Sequence, residues 1–594
     1  MSKKLSDDSN QRRNPIDLVK AFYKENIDFE SVVNSRKSKR KTSTGLNPYN
    51  GEFGDIQKNH LLNRVLIGNS RKHQFDIKDL SLNDSLDLIF TVEPKPNDPI
   101  NDYFHDVDPS WIDEADPNEP RFDVPPGQSY VHAPMHAPWQ RSYSYYAWVR
   151  KHMINQNTSI HWRLFLFLHN LLPTNLEGTG IKGRYENFTL LYNSCFRDYR
   201  ETIRDVTLDA NMMLYLNLDF SKKEYPDENY ARELQELFTV GKGPNSKFTE
   251  DDVVAISQIL VGWHTDFGNW NKQGKLGYKF NPGNHVTSDK VLSEFYNNRI
   301  IKGREGQDGR LELDEILEVL FDNQETALYL SRRLYQFFVY PIIDDSVEEL
   351  VIDPLSIILR DSNYRIDLAL RVLLRSEHFF DIENHNCLIK SPLEYSFGII
   401  KEFDFELSNN LSDDIPNKYS DPITKDYYFY KSFEYDLYQQ GFDVGNPPSV
   451  SGWPAYYQTP VFDMFWINSD TISKRSSFGK QLAYSGLYIG PADGGQVSSK
   501  MNVIEFVKGL NNPSDLNSVI NETLNVLLNV EISEDQKESI KYDMLGSDNL
   551  SDQYYTDTYI NYLNDPSESN QFTLEQRLKI MISRIFQLGE IHIF

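Results

Sequence analysis

Residues 249–263 read Thr-Glu-Asp-Asp-Val-Val-Ala-Ile-Ser-Gln-Ile-Leu-Val-Gly-Trp, and this stretch sets the fold class. Val253, Ile256, Leu260 and Trp263 recur at three- and four-residue spacing, which places them on one face of a helix. Thr249, with Asp252 three residues on, is the pairing that caps a helix at its start. The same signals recur outward along the chain. Residues 313–321 and 327–338 read as two more helices. Ser391-Pro392-Leu393-Glu394 opens another that runs through YSFGIIKEF: Ser caps, Pro takes the first helical position and Glu reaches back. Thr573 with Gln576 opens a last one, RLKIMISRIFQL. The expected fold is all-α, mostly helical, with long irregular loops and room in them for a few short strands.

The loops are as legible as the helices. Residues 94–139 are dense in Asp, Pro and Asn, which favour turns. Residues 269–303 are rich in Gly, Asn and Lys, and residues 441–460 carry Pro447-Pro448 and Gly452-Trp453-Pro454, which forbid regular helix. No fixed-period repeat is present. At 594 residues the chain exceeds what one core usually holds. The expected division is a poorly ordered polar segment over 1–55, a main helical domain over 56–490, and a C-terminal helical segment over 491–594 that follows the polar run PADGGQVSSK.

Hydrophobic residues at 39% and aromatics at 13% supply a sizeable core, so wholesale disorder is excluded. A net charge of -26 argues against broad binding of nucleic acid, whose phosphates need an excess of Lys and Arg. The basic run at 36–41 is the local exception; a solvated tail explains it as well, and deleting 1–55 is its test. Cys195 and Cys387 cannot build a disulfide framework or a four-cysteine zinc site. No run of about eighteen apolar residues exists to span a membrane. The N-terminus MSKKLSDDSNQRR lacks the apolar stretch of a secretory signal, so the chain is expected to be intracellular or shown without its leader.

Generic catalytic motifs fail. Gly241-Lys242-Gly243 lacks phosphate-loop spacing, the segment around Asp308-Gly309 puts Arg304 and Gly306 where calcium ligands belong, and neither HExxH nor GxSxG occurs. The helix DENYARELQELFTVG is more informative. Asn229, Glu233 and Glu236 share one face, and two carboxylates there can hold a cation or act as acid and base; a solvated or salt-bridged surface, with Glu228 pairing Arg232, is the commoner reason for such pairs on a helix. His169 and Asn170 end the apolar run LFLFLHN, where they either enter a site or cap the helix. His285 lies on a loop, where binding residues concentrate. Trp263 and Trp453 read as buried anchors that also border the irregular segments. No cofactor and no metal is assigned from these residues.

Taken together, these segments resemble the bacterial family called domain of unknown function 1800 (DUF1800). The resemblance begins at His60-Leu61-Leu62 and passes through Gly127-Gln128-Ser129-Tyr130-Val131, Met153-Ile154-Asn155-Gln156 and Leu168-His169-Asn170. Its most specific piece is Glu228-Asn229-Tyr230-Ala231-Arg232-Glu233-Leu234, similar to the family's Asn-Glu-Asn-Tyr-Ala-Arg-Glu-Leu hallmark. Gly262-Trp263, Lys390-Ser391-Pro392-Leu393-Glu394 and Pro447-Pro448-Ser449-Val450-Ser451-Gly452-Trp453-Pro454 complete it, and the Asp/Pro/Asn-rich segment looks like that of Bacteroidota-type members. The resemblance implies frequent export to the periplasm or cell surface and a gene neighbour of the sulfatase-like DUF1501 family; the family has no settled activity. The chain departs from it where Leu168 and Leu171 flank His169-Asn170 in place of Trp-His-Asn-His, at Phe238, and at His285-Val286 in place of His-Asp.

A metal site short of several ligands binds weakly, so these departures favour interaction over catalysis. The first expectation is a non-enzymatic scaffold that binds a protein, such as a DUF1501 partner, or a glycan through its Tyr-, Asn- and Pro-rich loops. The alternative is a metal-dependent or acid/base hydrolase using Glu233, Glu236, His169 and His285, which requires those four side chains to converge in one pocket.

Overall fold

The computed structural model describes residues 42–103, 124–131, 140–174, 179–267, 276–403, 405–407, 422–459, 461–489, 498–546 and 550–594. The basic run at 36–41, much of the loop over 94–139 and the polar run at 490–497 lie outside the described residues.

Helices dominate, as the periodicity requires. Those that position the site are α1 (Gln140–Ile154), α2 (His161–Leu171), α3 (Gly180–Ser194), α4 (Asn229–Glu233), α5 (Glu250–Leu260), α6 (Leu311–Asp322), α7 (Gln324–Phe338), α8 (Pro392–Glu402), α9 (Pro422–Gln439), α10 (Ser469–Tyr484) and α11 (Glu568–Ile585). Both capping boxes read from sequence form: Thr249 with Asp252 at α5, and Ser391 with Glu394 at α8. Two expectations are corrected. Trp263 does not continue the α5 face. The helix stops at Leu260, Gly262 takes φ +112 where a Cβ would meet the Phe280 ring at 2.8 Å, and Trp263 opens a strand. Thr573 does not open α11, which starts five residues earlier at Glu568; the Thr573 hydroxyl donates to the Ser569 carbonyl inside the helix.

The irregular stretches hold short antiparallel strands. β1 (Trp263–Asp266) pairs β2 (Gly277–Phe280), and β3 (Lys290–Val291) pairs β4 (Ile300–Ile301). β5 (Phe405–Leu407) and β6 (Leu487–Tyr488) flank β7 (Ser498–Met501), with Phe405 opposite Met501 and Leu487 opposite Ser499.

One cluster of buried apolar side chains reaches from Leu61 to Phe594. Tyr49 donates its backbone N–H to Arg375 at 2.9 Å, and Leu388 and Phe594 exchange two backbone hydrogen bonds. The first and last described residues are thus seated on the same 375–388 stretch. Cys195 and Cys387 are not bridged. Among the described residues no helix is long and apolar enough to cross a membrane. α1 and α9 pack along one another, pinned where the Arg150 Nε–H donates to the Tyr430 carbonyl at 2.7 Å.

Candidate functional site

Every residue of α2 is buried, because its sequence HWRLFLFLHNL leaves no polar face. His169 lies parallel to Phe165 at 5.7 Å and edge-on to Trp453 at 5.8 Å, and neither ring nitrogen has a hydrogen-bond partner among the described residues. Burial lowers its pKa to about 4, so the ring is neutral at pH 7. It borders a cavity of about 30 Å³, walled mainly by aromatic and aliphatic side chains such as Tyr145, Phe188 and Phe442, with room for a water or two. Asn170 does not cap α2; its Oδ1 accepts the Trp453 backbone N–H at 2.8 Å. Gly452 precedes that bond at φ +83, and a Cβ there would fall 2.3 Å from the Asn170 carbonyl oxygen. Trp453 stacks on Phe442 at 4.4 Å and 11°. These three residues therefore lock the 441–459 segment onto α2.

A pH dependence follows. The unfolded imidazole titrates near 6.5 and the buried one at about 4. Between those values the unfolded chain binds the extra proton, so stability falls as pH drops from about 6.5 towards 4. His73, His152 and His161, also lowered to about 4 by burial, contribute in the same direction. Substituting His169→Phe should flatten the stability slope over pH 4–6.5 by about one proton, read from urea unfolding at a series of pH values. An unchanged slope would mean that this ring is not buried in its neutral form.

The hallmark helix divides its work. α4 runs into one π-helical turn, Leu234–Phe238, closed where the Thr239 hydroxyl donates to the Leu234 carbonyl at 2.6 Å. Arg232 forks onto Glu250 at 2.8 and 2.6 Å and reaches Glu228 at 3.2 Å. Glu236 is buried against Lys242 and lies 3.9 Å from Arg232. Glu233 is half-buried, and its pKa is raised by that burial and by the Glu236 charge. The backbone N–H of Asn229 is capped by Asp227 at 2.9 Å.

His285 is not an accessible loop histidine. It is fully buried, with Nδ1 2.8 Å from the Val261 carbonyl and Nε2 3.1 Å from Glu312 on α6. Glu312 also pairs with the buried Lys290 and accepts the Arg304 N–H at 2.8 Å. Trp263 is a buried anchor, edge-on to Phe280 at 5.1 Å and Tyr278 at 5.7 Å.

The pocket that a hydrolase would need is not assembled from these residues. The wall around His169 contains none of Glu233, Glu236 and His285, each of which is engaged with other neighbours. Among the described residues no group of three or more His, Cys, Asp or Glu is placed to hold a metal.

A larger feature escaped the sequence reading. α9, PITKDYYFYKSFEYDLYQ, forms one wall of an open groove of about 600 Å³. Lys431, Glu434, Tyr435 and Tyr438 line it at helical spacing. Tyr143 from α1, Asp443 just past α9, and Tyr488 and Ile489 at and after β6 complete the walls. Tyr435, Tyr438 and Tyr488 expose 69%, 64% and 46% of their surface. The Lys431 ammonium lies 5.0 Å above the Tyr143 ring and 5.1 Å above Tyr427. Two carboxylates face the same space. Burial raises the pKa of Glu434, with the Asp443 charge adding to it and Arg150 opposing. Burial likewise raises Asp443, whose Oδ2 accepts from the Asn446 amide at 2.9 Å. The available signal was five tyrosines in one eighteen-residue helix, more than packing on α1 needs.

The profile of the family described as "Protein of unknown function (DUF1800)" matches residues 60–574. The chain belongs to that family. The match takes in the hallmark helix, the Asn170–Trp453 lock and both walls of the groove, so each of these lies within the DUF1800 region. No curated protein and no solved structure matches the chain.

Proposed function

We propose that this DUF1800 protein binds a glycan in the tyrosine-lined groove. The observation that carries the proposal is the combination of exposed tyrosine rings with carboxylates and an ammonium in one concave space of about 600 Å³, within the roughly 300–1,000 Å³ typical of ligand sites. Ring faces suit the C–H faces of sugars, while Glu434 and Asp443 accept hydroxyl protons and Lys431 donates. A protein partner would more readily use a flat patch than a concavity of this size. With two carboxylates in the groove and a chain charge of -26, a neutral or amino glycan is favoured over a polyanionic one. Export and a DUF1501-family partner belong to the same proposal, and mass spectrometry of proteins co-purifying from the native host tests them.

Affinity electrophoresis against neutral and amino polysaccharides tests the groove. Tyr435→Ala and Tyr438→Ala should each weaken binding about tenfold, about 1.4 kcal/mol. Absence of retardation by every polysaccharide, or equal retardation of the tyrosine variants, would refute the proposal.

A further inference from the structure

We propose that the chain binds a small oxyanion, of the phosphate or carboxylate class, in a cavity beside the start of α8 that shares no lining residue with the groove. The cavity measures about 50 Å³, room for about three or four waters. Lys390, next to the Ser391 cap of α8, lines it with the side-chain amides of Asn59, Asn63, Asn525 and Asn529. Asn59 and Asn63 come from the helix Asp55–Val65. Asn525, on the helix Leu516–Leu527, is exposed and marks the mouth. The Asn63 amide donates to Asn529 Oδ1 at 2.8 Å and the Asn529 amide to the Ile593 carbonyl at 3.2 Å, which leaves each a second N–H to give.

In a chain of net charge -26, the surroundings of this cavity carry unmatched positive charge. Arg475 is fully buried; it donates to the Lys390 carbonyl at 2.9 Å and lies 5.4 Å from the centre of the Tyr395 ring, a wall of the cavity. Arg64 is fully buried; it donates to the Asn384 carbonyl at 2.7 Å and the Cys387 sulfur at 3.4 Å, and lies 4.8 Å from the centre of the Phe594 ring, another wall. Arg64 Nε and Nη1 and Arg475 Nε have no hydrogen-bond partner among the described residues. The Lys390 ammonium donates to the Ile591 carbonyl at 2.9 Å. Burial lowers its pKa to about 8, Glu394 opposing and Arg475 adding, so it is mainly a cation at pH 7. The two carboxylates on the wall are already paired, Glu394 with Arg163 and Glu402 with Arg71, and Asp463 accepts the Ile389 N–H at 3.0 Å. Glu394 therefore acts on Arg64, Lys390 and Arg475 only through space. Buried cations without a direct counter-charge are costly. An oxyanion in the cavity supplies one: Lys390 and the amides donate to its oxygens, and the two guanidiniums act on it from behind Tyr395 and Phe594.

Thermal unfolding of the intact chain at pH 7 in inorganic phosphate, acetate or chloride, at matched ionic strength, tests the proposal. Tm is expected to rise along a saturating curve with phosphate or acetate and not with chloride. Asn525→Asp, which sets a negative charge at the exposed mouth, and Lys390→Met should each shift the saturation midpoint upward about tenfold or more. No rise with either oxyanion overturns the proposal. A rise that chloride matches, or one that never saturates, is a general salt effect and also overturns it. A saturating rise undiminished in Asn525→Asp places the ion elsewhere and overturns it too. Because Asn525 is exposed, that variant decides the matter even if Lys390→Met fails to fold.

Discussion

Arg163→Met is expected to destabilise the chain by about 3–5 kcal/mol, the usual cost of leaving one partner of a buried ion pair uncompensated. Arg163 on α2 meets Glu394 on α8 with both side chains almost completely buried. The same carboxylate closes the α8 capping box by accepting the Ser391 N–H at 2.6 Å. Losing the guanidinium therefore strands a buried charge and strains a helix start together. The Arg163 guanidinium also lies 4.6 Å above the Phe337 ring on α7, so α2, α7 and α8 meet at this residue. Replacing both partners, Arg163→Met with Glu394→Leu, should recover much of the loss, since an apolar pair of similar volume removes the desolvation cost. The urea midpoint measures each variant. A single-variant loss below about 1 kcal/mol would put the pair in the range of solvent-screened surface bridges.

Trp453→Ala should cost a further about 3–5 kcal/mol when measured alone, as large-to-small changes at buried aromatics do. Trp453 is almost completely buried, stacked on Phe442, edge-on to His169, and tied through its backbone N–H to Asn170. The effect should not stop at stability. Phe442 immediately precedes Asp443, so loosening the stack frees a wall of the groove. Glycan affinity should then fall although Trp453 does not line the groove. A stable Trp453→Ala protein with unaltered affinity would show that the 441–459 segment is held by other means.

What the sequence disclosed and what it hid follow from the range of the interactions. The Thr249–Asp252 and Ser391–Glu394 boxes were legible because each closes within three residues. The Trp263 error came from extending a period across Gly262, whose positive φ ends the helix; the spacing alone cannot register that. His285 looked accessible because its partners Val261 and Glu312 lie on either side of an irregular stretch. Asn170 looked like a cap because Trp453, 283 residues away, is invisible to local reading. The groove was missed for the same reason. Its tyrosines were visible on α9, but their exposure depends on α1, on the turn after α9 and on β6 meeting around them.

Hydrogen exchange of the intact chain, with and without a saturating polysaccharide that retards it in affinity electrophoresis, tests the central claim most directly. Slowed exchange is predicted in the α9 segment around Tyr427–Tyr438 and at Tyr488–Ile489. Protection centred instead on Glu233–Glu236 or around His285, with the α9 segment unchanged, would contradict the account and return the search to the hallmark helix.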